Sequence, residues 1–290
     1  MRPRIAVIAD SPDENWPSMD LVAEMLVREW RGELASEVDA ERLEWNLPNA
    51  ARRLSTKPSA LNVDRVLGRF VRYPAHAAML RRRFDFFHVA DHTYAQVVHA
   101  LPHSRTGVYC HDMDAFRSLI EPEREKRSAA FRAMTRLILE GMRRARFVFH
   151  STREMGRRLE RVVPRERLVY APYGLSEDFS VALDADDGVD SVLASLNGAP
   201  FLLHVSSAIP RKRLDVLFDA FARLRAKMPT LRLVQQGGVL TNEHREHLQK
   251  LEIEDALLQP PKLPRRTLAG LYRRAAVVLL PSEAEGFGLS

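Results

Sequence analysis

The chain has 290 residues and a single cysteine, Cys110. One cysteine excludes an intramolecular disulfide and any zinc site built on several thiolates, and it makes a reducing compartment, the cytoplasm, the default. No apolar run approaches the roughly 18–20 residues that a membrane span needs. The opening run Ile5–Ala9 stops at Asp10, too short for a signal-peptide core, and reads as a first buried strand. Glycine is sparse, with 13 residues, and lysine sparser, with six of the 44 cations. Together with 46% hydrophobic and 28% charged residues, this excludes collagen-like, low-complexity and wholly disordered chains. What the chain has in excess is arginine, and a net charge of +6. That balance permits phosphate-rich partners and identifies none, and a GC-rich genome gives the same arginine bias. No nucleic-acid motif accompanies it, so nucleic acid is not expected as a partner.

Length alone suggests two domains, or one and much of another. Short apolar runs alternate with longer amphipathic ones, the pattern of a parallel α/β architecture. Strands are expected at Arg4–Ala9, Asp85–Ala90, Thr106–Cys110, Arg146–His150 and Leu168–Tyr170. After an interruption they resume at Phe201–Val205, Leu231–Gln235, Ala256–Gln259 and Ala276–Leu280. The interruption holds Asp184, Asp186, Asp187 and Asp190 and then Asn197-Gly198-Ala199-Pro200, a composition typical of a crossing between domains. The expected division is a first domain over 1–179, a linker over 180–199 and a second domain over 200–290. The last strand runs into Pro281–Ser290, where a further helix would normally follow, so the second domain is expected to be unfinished in this sequence.

Several constellations could carry chemistry. The strand Phe201–Val205 leads through small residues to Arg211-Lys212-Arg213 at a helix start, a place that favours anions because free N–H groups and the helix dipole point there. A solvated basic helix start is the other reading. Glu285-Gly286-Phe287-Gly288 follows a strand, at the sheet edge where open α/β folds bind ligands. A carboxylate there can accept from sugar hydroxyls, and an ordinary turn fits equally. Gln236-Gly237-Gly238 offers close backbone approach near the same edge, or a plain turn. His111 and Asp112 sit at the tip of a first-domain strand, suited to substrate contact or to a local structural role. Asp112-Met113-Asp114 also has the short D-x-D form of a metal site. From Asn49 to Arg83 there are nine cations and one acid, Asp64. Here Val63, Val66, Leu67, Phe70 and Val71 share one helical face, with Arg65, Arg69 and Arg72 on another. Such a helix either lies on anionic membrane or packs its apolar face on its own sheet.

Taken in order along the chain, these residues resemble the retaining family-4 glycosyltransferases of the GT-B fold, the glycosyl transferases group 1. Phe87–His92 with Val108–Asp112 is similar to the first-domain pattern ending in His-Asp, and Ser151-Thr152-Arg153 to the strand-end serine before a helix. Ala171-Pro172-Tyr173-Gly174-Leu175 with Phe179 resembles the P-x-G-[VL]…F close of the first domain. Arg211-Lys212 matches the diphosphate cations. Leu271-Tyr272, Ala275 and Pro281-Ser282 with Glu285–Gly288 match the run L-Y…A…PS-x-x-E-G-F-G, the most specific feature of the chain.

The resemblance implies two Rossmann-like α/β/α domains with mainly parallel sheets, the second incomplete. It implies sugar transfer from a UDP- or GDP-type nucleotide sugar to a glycan, lipid-linked or small-molecule acceptor, with retention of configuration and no metal or other cofactor. Lys212, helped by Arg211, would stabilise the departing diphosphate. Glu285 would hold donor-sugar hydroxyls, and Gly286, Phe287 and Gly288 would line the donor, with Gly237 nearby. His111 would contact the donor sugar. The sequence departs from the family in three places. Ser207 stands five residues before the lysine, where many members carry arginine. Asp10-Ser11-Pro12 replaces a glycine pair after the first strand. The second acid of the E-x7-E motif would fall at 293. A non-catalytic nucleotide-sugar or polyphosphate-binding module is the alternative reading. The cationic stretch 49–83 suggests an enzyme held at the periphery of an anionic membrane.

Overall fold

The computed structural model describes residues 2–179, 188–285 and 287–288. The chain divides into two compact units, Met1–Gly174 and Leu175–Ser290. The boundary therefore lies ahead of the expected 179. Residues 180–187 of the expected linker are outside the described residues. The remainder, 188–199, is no free connector: it carries a short helix, Asp190–Ala194, whose Val189, Val192 and Leu196 are buried with Leu203, Val234 and Leu271. Its apolar spacing outweighs the turn-like composition around it.

The first unit holds a six-stranded sheet of β1 (Arg4–Ile8), β2 (Asp39–Leu43), β3 (Phe86–Val89), β4 (Thr106–Cys110), β5 (Phe147–His150) and β6 (Leu168–Tyr170). Their order is β2-β1-β3-β4-β5-β6, and every pairing is parallel. Both faces of such a sheet are covered, so its central strands are apolar on both sides. Ile8, Val89, Val108 and Val148 enter one core, while Val7, Ala9 and Ala90 pack with Ala23 and Val27 in another. The strand β2 escapes a hydrophobicity reading because its sequence is Asp-Ala-Glu-Arg-Leu and only Ala40 is buried.

The second unit holds β7 (Phe201–Val205), β8 (Arg232–Gln236), β9 (Leu257–Leu258) and β10 (Val277–Val278), ordered β10-β7-β8-β9 and all parallel. Leu202 and Leu233 face one core and Leu203 and Val234 the other, the period-2 alternation of strands buried on both faces. Phe179 meets Tyr272 edge to face at 5.8 Å, joining two residues that the family resemblance had singled out separately.

The basic segment of the first unit is turned opposite to its sequence reading. Two helices, Pro58–Leu67 and Tyr73–Leu80, are joined by a π-helical turn over Gly68–Arg72. The extra residue in that turn makes the buried row Ala60, Asp64, Gly68, Tyr73 and Ala77. Arg65 and Arg69 face inward, where their Nε atoms donate to the two carboxylate oxygens of buried Glu14 at 2.8 and 2.9 Å. Val63, Val66, Leu67 and Val71 are exposed instead. The buried Glu14 carboxylate holds these two arginines on the inner side, and the π-helical turn shifts the phase of the residues that follow it.

Candidate functional site

In the second unit the cationic turn follows β7. Pro210–Lys212 forms a single 3-10 turn, Arg213 takes a left-handed conformation with φ 51°, and the helix Leu214–Arg225 begins there. The three cations diverge. Arg213 is held by Asp215 at 2.8 Å and by Glu283 at 3.4 Å. Arg211 donates to the Ala284 carbonyl at 2.9 Å, and Lys212 donates from Nζ to Glu285 Oε1 at 2.6 Å. The Glu283 N–H also donates to the Arg211 carbonyl at 2.9 Å. Arg211 and Lys212 belong to one sequence motif and Glu285 to another, and the fold brings all three together at the C-terminal edge of the sheet.

Lys212 is largely buried, with Glu285 as its counter-ion, and Arg211 stands 4.0 Å from the second Glu285 oxygen. Burial works to raise the Glu285 pKa, but the hydrogen bond and charge of Lys212, with the charge of Arg211, hold it below its ordinary value. The result is a partly open carboxylate–ammonium pair beside a helix N-terminus. An incoming dianion can take over the lysine, which frees the carboxylate for hydroxyl donors.

Gly237 and Gly238 follow β8 with φ of +94° and +60°. A Cβ on Gly238 would stand 2.3 Å from the Ala208 nitrogen, and one on Gly237 would stand 2.9 Å from the Ser206 carbonyl oxygen. The glycines thus let this turn lie directly on the Ser206–Ala208 loop. Sequence reasoning missed the polar frame beneath it. His204 bonds the Leu279 carbonyl through Nδ1 and Ser206 Oγ through Nε2, each at 2.8 Å, and burial lowers its pKa. A histidine inside the otherwise apolar run Phe201–Val205 was the available signal. Gly286 lies outside the described residues; Phe287 is partly exposed, and Gly288 has φ +82° with open space where a Cβ would be.

In the first unit His111 sits at the end of β4 with both ring nitrogens engaged. The Ala90 carbonyl can only accept, so Nε2 carries the proton and donates to it at 2.7 Å; Nδ1 then accepts from the Tyr173 hydroxyl. The ring stacks on Tyr109 at 5.0 Å, and burial lowers its pKa, which favours the neutral imidazole. Asp112 Oδ1 accepts from the Asp114 N–H at 3.0 Å, which makes Asp112-Met113-Asp114 a local turn. The Cys110 thiol is buried and its pKa is pushed up by that burial.

Beside His111 lies a buried acid–histidine cluster that the sequence did not reveal. His92 Nδ1 is 3.1 Å from Asp91, and Nε2 is 3.8 Å from Asp112. Burial alone would lower the His92 pKa, but the hydrogen bond and charge of Asp91, with Asp112 and Asp114, raise it overall. Among the described residues, no donor faces either carboxylate oxygen of Asp10, just past β1, and burial and then Asp91 push its pKa well up. Its acid form can donate to Asp91. Both raised groups favour the folded state at low pH. The His92 contribution is complete below its unfolded value of about 6.5 and is lost as pH rises through the folded one. Thermal stability of the wild type should therefore fall more between pH 6 and 8 than that of His92→Gln, measured by differential scanning calorimetry. Parallel curves would remove the charge from His92.

Residues 190–290 match the family described as glycosyl transferases group 1. A D-inositol 3-phosphate glycosyltransferase of Kribbella flavida is 35% identical over 98 residues, which are 30% of this chain and 23% of that protein. The chain thus matches under a quarter of that curated relative's length. Among solved structures, Anabaena HepE in complex with UDP and glucose superposes with a TM-score of 0.68 at 13% identity, covering 98% of this chain and 76% of that one. Sucrose-phosphate synthase of Thermosynechococcus elongatus gives 0.67 at 18%, covering 99% and 77%. The fold is GT-B, with two α/β units on parallel sheets, as the sequence resemblance implied. Among the described residues no helix is long and apolar enough to cross a membrane.

Proposed function

We propose that this protein is a glycosyltransferase that uses a nucleotide-sugar donor. The observation that carries the reading is the pairing of Lys212 and Arg211 with Glu285 at the sheet edge, inside the stretch that matches the family. In the proposed reaction the bond from the sugar anomeric carbon to the diphosphate breaks. A bond to an acceptor hydroxyl forms on the same face, and the hydroxyl proton leaves with the diphosphate. Lys212 and Arg211 supply positive charge to the departing diphosphate, so the reading needs no metal. Glu285, released from Lys212, holds sugar hydroxyls, with Gly286, Phe287 and Gly288 lining the donor. Gly237 keeps the neighbouring turn close, and neutral His111 is assigned to the donor sugar by the family resemblance. The HepE complex with UDP and glucose favours UDP-glucose as the first donor to test. A glycan, a lipid-linked sugar or a small polyol phosphate is the acceptor class, in the cytoplasm, with peripheral contact to an anionic membrane face.

The test is a thermal-shift series with UDP-, GDP- and ADP-sugars, followed by acceptor-dependent release of the nucleoside diphosphate. A donor at a hundredfold excess over its Kd adds about 2.7 kcal/mol of apparent stability and should stand out from the series. Binding with no release for any acceptor would favour a non-catalytic nucleotide-sugar module. No shift with any nucleotide sugar would overturn the reading.

A further inference from the structure

The helix pair that turns its arginines inward presents an apolar ridge outward. Val63, Leu67, Val71, Ala75 and Met79 recur every four residues along it, and Val66 widens it. Val71 is 60% exposed and Met79 70%; Leu54, just before the helix, is 90% exposed. The row extends over about 24 Å at the helical rise. Exposed cations stand at both ends, Arg53 and Lys57 before it and Arg81, Arg82 and Arg83 after it. Between residues 49 and 83 the only acid is Asp64, which is buried and held by Arg52 at 2.9 Å and by the Ala51 and Arg52 N–H groups. The stretch therefore offers solvent an apolar stripe, a cationic rim and no exposed carboxylate.

We propose that this ridge is the surface by which the protein lies on an anionic lipid bilayer, with Val63, Leu67, Val71 and Met79 entering the acyl boundary and Arg81 and Arg82 meeting lipid phosphates. The inference rests on the peripheral membrane contact proposed above and assigns it to residues. A bilayer fits because it matches both halves of the pattern, an apolar interior under an anionic surface. Arg65 and Arg69, which the sequence alone would place at the lipid, are engaged by Glu14 and take no part.

The experiment is co-sedimentation of the full chain with vesicles of phosphatidylcholine alone or with about one-third phosphatidylglycerol, at low and high salt. The wild type should bind the phosphatidylglycerol vesicles and lose binding as salt rises. The triple variant Val63→Ser, Val71→Ser, Met79→Ser should bind roughly tenfold more weakly. Arg81→Gln with Arg82→Gln should weaken binding about as much and flatten the salt dependence. All these positions are exposed, and circular dichroism and tryptophan fluorescence check that the variants fold. If wild type and triple variant bind the charged vesicles equally, the ridge assignment falls and the membrane contact stands. Should the wild type bind neither vesicle, both fall. Self-association that depends on the ridge, without vesicle binding, assigns the surface to a second copy and overturns the proposal.

Discussion

Replacing Lys212 by alanine should weaken UDP-sugar binding by roughly 10- to 150-fold, the range that a lost charge-assisted hydrogen bond of ~1.5–3 kcal/mol produces. The structure sharpens this expectation, because Lys212 is already bonded to Glu285 at 2.6 Å. A diphosphate reaches the ammonium only in competition with that carboxylate. Glu285→Gln keeps the shape and removes the competing charge. It should therefore bind UDP more tightly than the wild type, while the extra affinity that a sugar confers on UDP shrinks. Turnover should fall more than donor affinity if the carboxylate acts chiefly on the electron-poor sugar of the transition state. Arg211→Ala should have a smaller effect than Lys212→Ala, since Arg211 is 4.0 Å from the carboxylate and also serves the Ala284 carbonyl. Calorimetric titration with UDP and with UDP-glucose, on each variant, separates the contributions. An unchanged Kd in Lys212→Ala would disprove the phosphate assignment. Weaker UDP binding by Glu285→Gln would mean that the carboxylate does not compete for the lysine.

The residues of this site were legible one at a time, but their pairing was not. Lys212 announces itself in a cationic turn after a buried strand, and Glu285 in a glycine-containing loop after another. Nothing local joins residues 73 apart in sequence; parallel strand order does that, by placing β10 beside β7. The same holds for His111. Its position at a strand tip could be read, whereas the Tyr173 hydroxyl that occupies its Nδ1 comes from 62 residues later. Strands β4 and β7 were read to the residue because strands buried on both faces are largely apolar, and the edge strand β6 because its Leu168-Val169-Tyr170 is apolar even though Tyr170 is exposed. The edge strand β2 has no such run and was invisible. The failure at 58–80 had a different cause. Periodicity assumes 3.6 residues per turn and an apolar interior, and here a π-helical turn shifts the phase while a buried carboxylate draws arginines inward.

That inversion makes Glu14 the residue whose loss should be felt most in the first unit. Its side chain is fully buried, 2.8 Å from Arg65 Nε and 2.8 Å from an Arg69 terminal nitrogen. The Arg69 guanidinium lies over the Trp16 and Tyr94 rings, 4.9 and 4.8 Å from their centroids, so it is tied to the core and cannot swing freely to water. Glu14→Ala leaves this charge desolvated without its partner, and breaking such a buried pair costs about 3–5 kcal/mol. Glu14→Gln keeps the volume and one acceptor, and should cost less. Arg65→Ala should cost less than Glu14→Ala, because Arg65 is more exposed and Arg69 still balances the carboxylate's charge from Oε1, although Oε2 loses its Arg65 bond. All three tryptophans, Trp16, Trp30 and Trp45, belong to the first unit, so the urea dependence of tryptophan fluorescence reports that unit alone. The double variant Glu14→Ala with Arg69→Ala should be more stable than the sum of the single changes implies, by up to about 3 kcal/mol, since the second removal takes away the unpaired charge. A Glu14→Ala midpoint like that of an ordinary surface substitution, within about 0.5 kcal/mol of wild type, would mean that the arginines face solvent. The helix pair would then turn its valines to the core, and the apolar ridge would not exist.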